Sequence, residues 1–452
     1  MKTSMRTPRA AANSWREILL SVIALGISGA SLHCRSSTPP GPSRADASLP
    51  PAPAPSSQPV APRALRADEV TPLITAVDLG TGIDVQPEEE RLHGRTLRLT
   101  LAGVACSFDG ATVGDTRGAA RCQPLGARPG PLIDADDEAR ISVMSTDGVH
   151  DVSTSERVFS VASGVPTAFI DAYRREDGSV LALQIDRRDE RTKRAAQLLL
   201  SDASGVIATT AVARSASEIE DGRVVGDWLL LSERLSREQH RLIAHRIIDG
   251  GRSLGPRLAF GELRPALRSR VAVRGAACRS SGGLFVIISA QSQELQGGQE
   301  HALAMLTGDH WSLSPIEAPG SLGCHGALAT LTEQTGEQVT QQRCAADGCQ
   351  KVIGRLPLGA RGRAPGDVGA VDDKVLAVWG NGPVFMALSP LATLATAAAI
   401  PIYEPADGEE VKALNIFVRQ DIAFILLRTS RGALALRVES TGEFSSIRRP
   451  TP

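Results

Sequence analysis

Ala302-Leu303-Ala304-Met305-Leu306-Thr307-Gly308-Asp309-His310-Trp311 decides how the chain folds. An apolar run too short for an ordinary helix gives way to a polar turn around a glycine, and an aromatic residue opens the next segment. The pattern returns at Ala433-Leu434-Ala435-Leu436, which leads into Thr441-Gly442-Glu443 and Phe444. Weaker echoes run from Leu198 to Val206 around Gly205, and from Leu242 to Leu254 around Gly250-Gly251. Leu97 to Val104, Val180 to Ile185, Trp228 to Leu231, Leu284 to Ile288, Val375 to Trp379 and Ile422 to Leu427 are further short apolar runs. Several are rich in Val and Ile, and Gly, Asp, Ser and Pro separate them, so the body reads as many short strands. Arg191 to Leu200 and Glu233 to Ile247 are exceptions that read as helical.

Gly110, Gly164, Gly205, Gly251, Gly308, Gly354 and, two steps on, Gly442 mark a repeat of roughly 40 to 57 residues. A unit of that length holding several short strands resembles the blade of a β-propeller. One such sheet cannot bury both of its faces, so sheets stack around an axis and closure protects their edges. The resemblance implies an all-β propeller over 67–450 with seven blades. Eight is the alternative count, because the first unit, before Val104, is poorly defined. No WD dipeptide with its Gly-His partner and no kelch glycine doublet marks a particular propeller family. Tandem β-sandwich domains are the alternative architecture.

The N-terminus supplies an address. Lys2, Arg6, Arg9 and Arg16 precede a run without charge from Ile18 to Leu32, the layout of a secretory signal peptide, and the run is too short and too broken by Gly26 and Gly29 to span a bilayer. Ser28-Gly29-Ala30 offers one cleavage point. Ser31-Leu32-His33-Cys34 resembles the lipobox of bacterial lipoproteins, which implies cleavage before Cys34 and lipidation of its thiol. The segments expected are therefore a signal peptide at 1–33 and a tether at 34–66, where Pro, Ala and Ser dominate and leave little to bury. The resemblance implies a lipoprotein anchored at the bacterial envelope, in the periplasm or at the cell surface; a secreted soluble protein is the alternative.

Seven cysteines fit that reading. With Cys34 taken by lipid, Cys106, Cys122, Cys278, Cys324, Cys344 and Cys349 can pair completely in an oxidising compartment. Proximity favours Cys106 with Cys122, and Cys344 with Cys349 across the Asp347-Gly348 turn, leaving Cys278 and Cys324. A zinc site of Cys324, His325, Cys344 and Cys349 is the alternative, without the doubled C-x-x-C spacing that marks such sites.

No local motif carries a reaction. G-x-S-x-G, the P-loop, the dinucleotide-binding glycines and His-Glu-x-x-His are all missing from the sequence. Asp134, Asp136, Asp137 and Glu138 lack the glycine and spaced glutamate of a calcium loop, and read as an acidic turn. Glu88, Glu89 and Glu90 read as a charged loop, and His240 and His245 as surface histidines. The Cys324-His325 neighbours read as a paired cysteine beside an ordinary imidazole. Trp228 and Trp379 sit in apolar runs and are expected in the core, whereas Trp311 follows a turn and is expected near the surface. The formal net charge is −1, with no polybasic block. The cluster Arg187, Arg188, Arg191, Lys193 and Arg194 is interleaved with acids and reads as a solvated face, so nucleic acid is not an expected partner.

These features assign no catalytic residue, cofactor or metal ligand. They lead to a tethered propeller that binds or scaffolds, with the membrane as one partner, through its lipid, and an unidentified envelope protein as another. A propeller hydrolase or lyase with an active site in the axial funnel is the alternative, since its groups would come from separate blades and leave no local motif.

Overall fold

The computed structural model describes residues 63–75 and 89–447, apart from 94–95, 102–103, 109–120, 125–131, 136–140, 146–147, 152–156, 161–166, 187–195, 203, 214–217, 237–238, 264–268, 274–276, 282, 293–298, 318, 346 and 420. The signal segment, Cys34, nearly all of the expected tether, Glu88, Asp136, Asp137, Glu138 and the 187–194 cluster lie outside them.

The architecture is an all-β propeller. Eight sheets follow in chain order, at 89–124, 142–160, 167–213, 218–263, 269–316, 321–355, 366–404 and 411–446, and are called sheets 1 to 8. Seven carry four or five strands and are full blades; sheet 2 has three strands among the described residues. Sheet 2 lies within the step from Gly110 to Gly164 and holds its own place between sheets 1 and 3. The poorly defined unit before Val104 belongs to sheet 1. Short antiparallel hairpins join strands at Gly308 in sheet 5 and between Thr429 and Gly432 in sheet 8.

Every sheet is covered on both faces. In the run Ile422–Leu427, Ala423, Ile425 and Leu427 pack toward sheet 7, while Ile422, Phe424 and Leu426 pack toward sheet 1. Leu284, Val286 and Ile288 of sheet 5 likewise face sheet 4, and Phe285 and Ile287 face sheet 6. This explains why the strands read as unbroken apolar runs rather than half-polar alternations. Full burial of each Val, Leu, Ile or Phe among them is worth about 1.5–3 kcal/mol. The ring closes where Phe108 of sheet 1 meets Phe424 of sheet 8, ring centroids 5.9 Å apart. Tandem sandwiches would pair the sheets in twos; here each sheet has two neighbours.

The chain entering the ring clasps its last two sheets. Leu65–Arg66, at the end of the stretch expected to be tether, pairs parallel with Ile400–Glu404 of sheet 7, and Ile74–Thr75 pairs with Gly432–Glu439 of sheet 8. Arg431 fixes the link by donating to the Ala67 and Val70 carbonyls.

The segments read as helical are strands: Ala196–Asp202 in sheet 3, Trp228–Arg234 and His240–Ile248 in sheet 4. Their charged ends lent a helical look, but pairing between sheets decides the conformation of such short runs.

First strands meet one another around the inside of the ring, and a repeated acid links them. Asp171 of sheet 3 accepts from the Val224 amide of sheet 4 at 2.9 Å. Asp221 of sheet 4 accepts from Val273 of sheet 5 at 2.9 Å, and Asp367 of sheet 7 from Ile416 of sheet 8 at 2.7 Å. At Asp171 and Asp221 the strand shifts register, which turns the carboxylate toward the next sheet. Between sheets 5 and 6, the Cys278–Cys324 disulfide makes the link instead.

Asp221→Ala strands the Val273 amide and is expected to cost about 1–3 kcal/mol, read as a lower midpoint in urea unfolding. Glu317→Ala, which breaks only an exposed ion pair with Lys351, is expected to leave the midpoint within error. Equal midpoints for Asp221→Ala and the parent would show that the acid links do not hold the sheets.

Candidate functional site

Where first strands end, the ring opens into a cavity of about 540 Å³. Five sheets contribute to it: Tyr173 and Arg175 from sheet 3, two turns of sheet 4, Cys278 and Arg279 from sheet 5, Cys324 from sheet 6 and Arg419 from sheet 8. Its size falls within the range of small-molecule sites.

The turns of sheet 4 set its shape. Gly226-Asp227 joins two strands with Gly226 at φ 57°. Asp249-Gly250-Gly251 ends the third strand with φ of 51°, 66° and 100°. These left-handed values favour glycine. At Gly251 space also demands it, since a Cβ would sit 2.5 Å from Leu181 Cδ2. The Ser253 hydroxyl donates to the Asp249 carboxylate and steadies the non-glycine member of the turn.

Two guanidinium groups flank these turns. Arg175 donates to the Gly250 carbonyl at 2.7 Å, and Arg279 pairs with Asp227 at 2.6 Å. Arg246 approaches the other oxygen of Asp227 at 3.3 Å. The side chains of Arg279 and Arg246 are 53% and 60% exposed, so these ion pairs orient the groups more than they stabilise the fold. Arg419 is buried at the floor, where its side chain donates to the Val418 carbonyl. A second cavity of about 270 Å³ lies between sheets 6, 7 and 8, and it shares Leu322, Val418 and Arg419 with the first.

The sequence-derived residues fall as follows. Cys106–Cys122 and Cys344–Cys349 bridge facing strands within sheets 1 and 6, Cα atoms 4.1 Å apart in each. Cys278–Cys324 spans two sheets at 5.7 Å and lines the cavity wall. These bonds use the three cysteines of the zinc alternative and leave His325 without them. They also take Cys324 out of any pairing with its neighbouring imidazole. Asp134–Ala135 pairs as an added strand with sheet 3, and Glu89 and Glu90 lie in a strand of sheet 1 rather than in a loop.

His240 and His245 are buried, not on the surface. They stand in a strand covered on both faces, so neither side of the pleat is open to water. His240 Nδ1 lies 3.1 Å from Glu220 Oε2, and His245 Nδ1 lies 3.1 Å from the Gly255 carbonyl. Trp379 is buried and stacks with Phe385, centroids 6.2 Å apart. Trp228 is half-buried between sheets 4 and 5. Trp311 packs into that same interface and donates to the Leu258 carbonyl at 3.2 Å, which accounts for its place after a turn.

Several described groups have a displaced proton affinity. Hydrogen bonds from Ser179 and Ser204 hold Asp177 and Asp202 below the usual carboxylate range. Burial, then the Glu409 carboxylate, raises Tyr403, whose hydroxyl donates to Glu409 at 2.9 Å. Burial lowers His301, which lies 2.7 Å from the Ser289 hydroxyl. Burial, with the Arg257 charge assisting, lowers His245 against an opposing hydrogen bond at Gly255.

No family model matches the chain, and no characterised protein matches it in sequence. Among solved structures it is similar to a dihydro-heme d1 dehydrogenase, NirN, at 12% identity and a TM-score of 0.43, covering 88% of this chain and 82% of that one. It is also similar to the computationally designed Ika8 protein, at 11% identity and a TM-score of 0.41, covering 80% and 98%. The Dos1 propeller matches at 11% identity and a TM-score of 0.39, covering 70% and 82%. Likeness at this level concerns the fold and transfers no activity.

The histidines yield a pH dependence. His245 and His301 bind a proton less readily when folded than at their ordinary value of 6.5, so below that pH the unfolded chain takes up more protons. The stability they contribute is complete above it and falls as the pH drops through it. Between about pH 7.5 and about pH 5.5 the urea midpoint is expected to fall, and His245→Asn to flatten the slope. A midpoint that rises over this interval would contradict the burial of both rings.

Proposed function

We propose that the protein is a binding module of the bacterial envelope, held to a membrane by lipid on Cys34 and presenting the ring at the end of a proline-rich tether. The carrying observation is the large cavity itself. Five sheets converge on it, and its charged side chains are held in place by one another and by backbone carbonyls. A site built this way recognises a ligand by shape and by placed polar groups. Three disulfides point to an oxidising, extracytoplasmic setting, in keeping with an exported chain. The ring would also offer its rim to an envelope protein partner.

Intact-mass spectrometry of the protein from a bacterial host that lipidates its own lipoproteins tests the anchor. The expected result is a mature chain that begins at an acylated Cys34 and partitions with membranes, and a Cys34→Ser variant recovered in the soluble fraction. An unmodified terminus at Ser31 would reject the lipid anchor.

A further inference from the structure

Charges of both signs line the large cavity in equal number, and they are grouped unevenly. Arg175 and Arg279 line it together with Asp227 and Asp249, while Arg419 at the floor is buried and engaged within the fold. Arg279, Asp227 and Arg246 form one closed set of ion pairs. Arg175 and Asp249 stand outside it, at one corner. Arg175 donates to the Gly250 carbonyl at 2.7 Å, so its guanidinium lies against the residue that follows Asp249. Among the described residues both charges are held by neutral groups, Arg175 by that carbonyl and Asp249 by the Ser253 hydroxyl, and no ion pair joins them. Asp177, on the turn after Arg175, feels the guanidinium charge but takes its hydrogen bonds from Ser179. Asp249 is also one of two non-glycine residues with left-handed backbone among the described residues, at φ 51°. Glycine holds such a turn at less cost, as it does at Gly250 and Gly251, so the carboxylate is what this position gains. Beside it Ile248 keeps 40% of its surface exposed at the cavity.

We infer that this corner binds a zwitterion with an apolar side chain, a free amino acid or a short peptide, its carboxylate on Arg175, its ammonium on Asp249 and its side chain on Ile248. A guanidinium meets a carboxylate through paired N–H donors, an ammonium donates to a carboxylate, and covering Ile248 removes apolar surface from water. Tyr173 and Ile247 continue the wall, and a cavity of about 540 Å³ accommodates either kind of ligand. The Gly250 carbonyl holds Arg175 in place before the ligand arrives, which reduces the cost of ordering that long side chain. The inference deepens the binding-module reading and rests on it.

Isothermal titration calorimetry on the full chain tests it with L-leucine and L-leucyl-L-leucine, each also in its N-acetylated and its C-amidated form. One of the two zwitterions is expected to bind, and the tighter of them separates the free amino acid from the peptide. Acetylating or amidating that ligand is expected to weaken it about tenfold or more, since each removes one charged partner. Substitutions separate the two ends. Asp249→Asn, whose side chain tolerates the left-handed turn, is expected to weaken the zwitterion about tenfold and to leave the acetylated form unchanged. Arg175→Gln is expected to weaken the zwitterion by a similar factor and to leave the amidated form unchanged. Circular dichroism and urea midpoints matching the parent confirm that each variant folds; if Arg175→Gln does not, Arg175→Lys, expected to bind at intermediate strength, carries the comparison. Acetylated and amidated forms that bind as tightly as the zwitterion would overturn the inference while leaving a binding module. Zwitterion binding unaffected by either substitution, or no binding of either zwitterion, would also overturn it, whereas the mass of the N-terminus judges the envelope reading separately.

Discussion

A sheet with two apolar faces has to be covered twice, and that requirement shapes this molecule. Ile422 to Leu427 sends alternate side chains into the core toward sheet 7 and the core toward sheet 1, so neither set is buried unless both neighbours are present. Any open row of such sheets would end on two uncovered apolar faces. Closure at Phe108 and Phe424 removes both ends at once. The entering strands at Leu65–Arg66 and Ile74–Thr75 then tie the start of the chain to its last two sheets, so ring closure does not depend on side-chain packing alone.

Polar links refine what packing establishes. Asp171, Asp221 and Asp367 each tie one first strand to the next, and the Cys278–Cys324 bond takes that place between sheets 5 and 6. On the rim, Cys344–Cys349 holds the exposed last strand of sheet 6 to its neighbour. First strands of sheets 6, 7 and 8 draw close together: a Cβ on Gly369 of sheet 7 would lie 2.6 Å from Val418 of sheet 8. The larger space opens mainly beside sheets 3, 4 and 5. Its walls are the turns that connect their strands, so the same glycines that let the hairpins close also shape the cavity.

Much of the fold was legible because its period is written in turn chemistry. Gly205, Gly251, Gly308 and Gly442 all adopt the left-handed values that their turns demand, and the Val- and Ile-rich runs between them are strands. The cysteines were legible for a similar reason, since two of their pairs are close in sequence and the third follows. The seven blades expected from the glycine steps are the seven full sheets; sheet 2, with three short strands over 142–160, falls inside the step from Gly110 to Gly164. His240, His245 and the runs at 196–202 and 240–248 were misread for one reason: a pattern along the chain records local periodicity, whereas the covering of both faces is a property of neighbours far away in sequence. The candidate site was not legible at all. Arg175, Arg279 and Arg419 belong to three different sheets, and nothing local distinguishes them from the chain's many other arginines. The acid links left one faint trace, an aspartate two residues beyond an apolar residue near the start of a sheet, in Phe169-Ile170-Asp171 and Ile219-Glu220-Asp221.

That no sheet is stable without its neighbours is most directly tested by hydrogen exchange resolved to single amides in the native protein. If the ring is one cooperative unit, the amides of Val224, Val273 and Ile416, which belong to three different sheets, exchange with a common free energy equal to that of global unfolding, and shift together when mild denaturant is added. Separate free energies, with one sheet opening while the others stay protected, would contradict it.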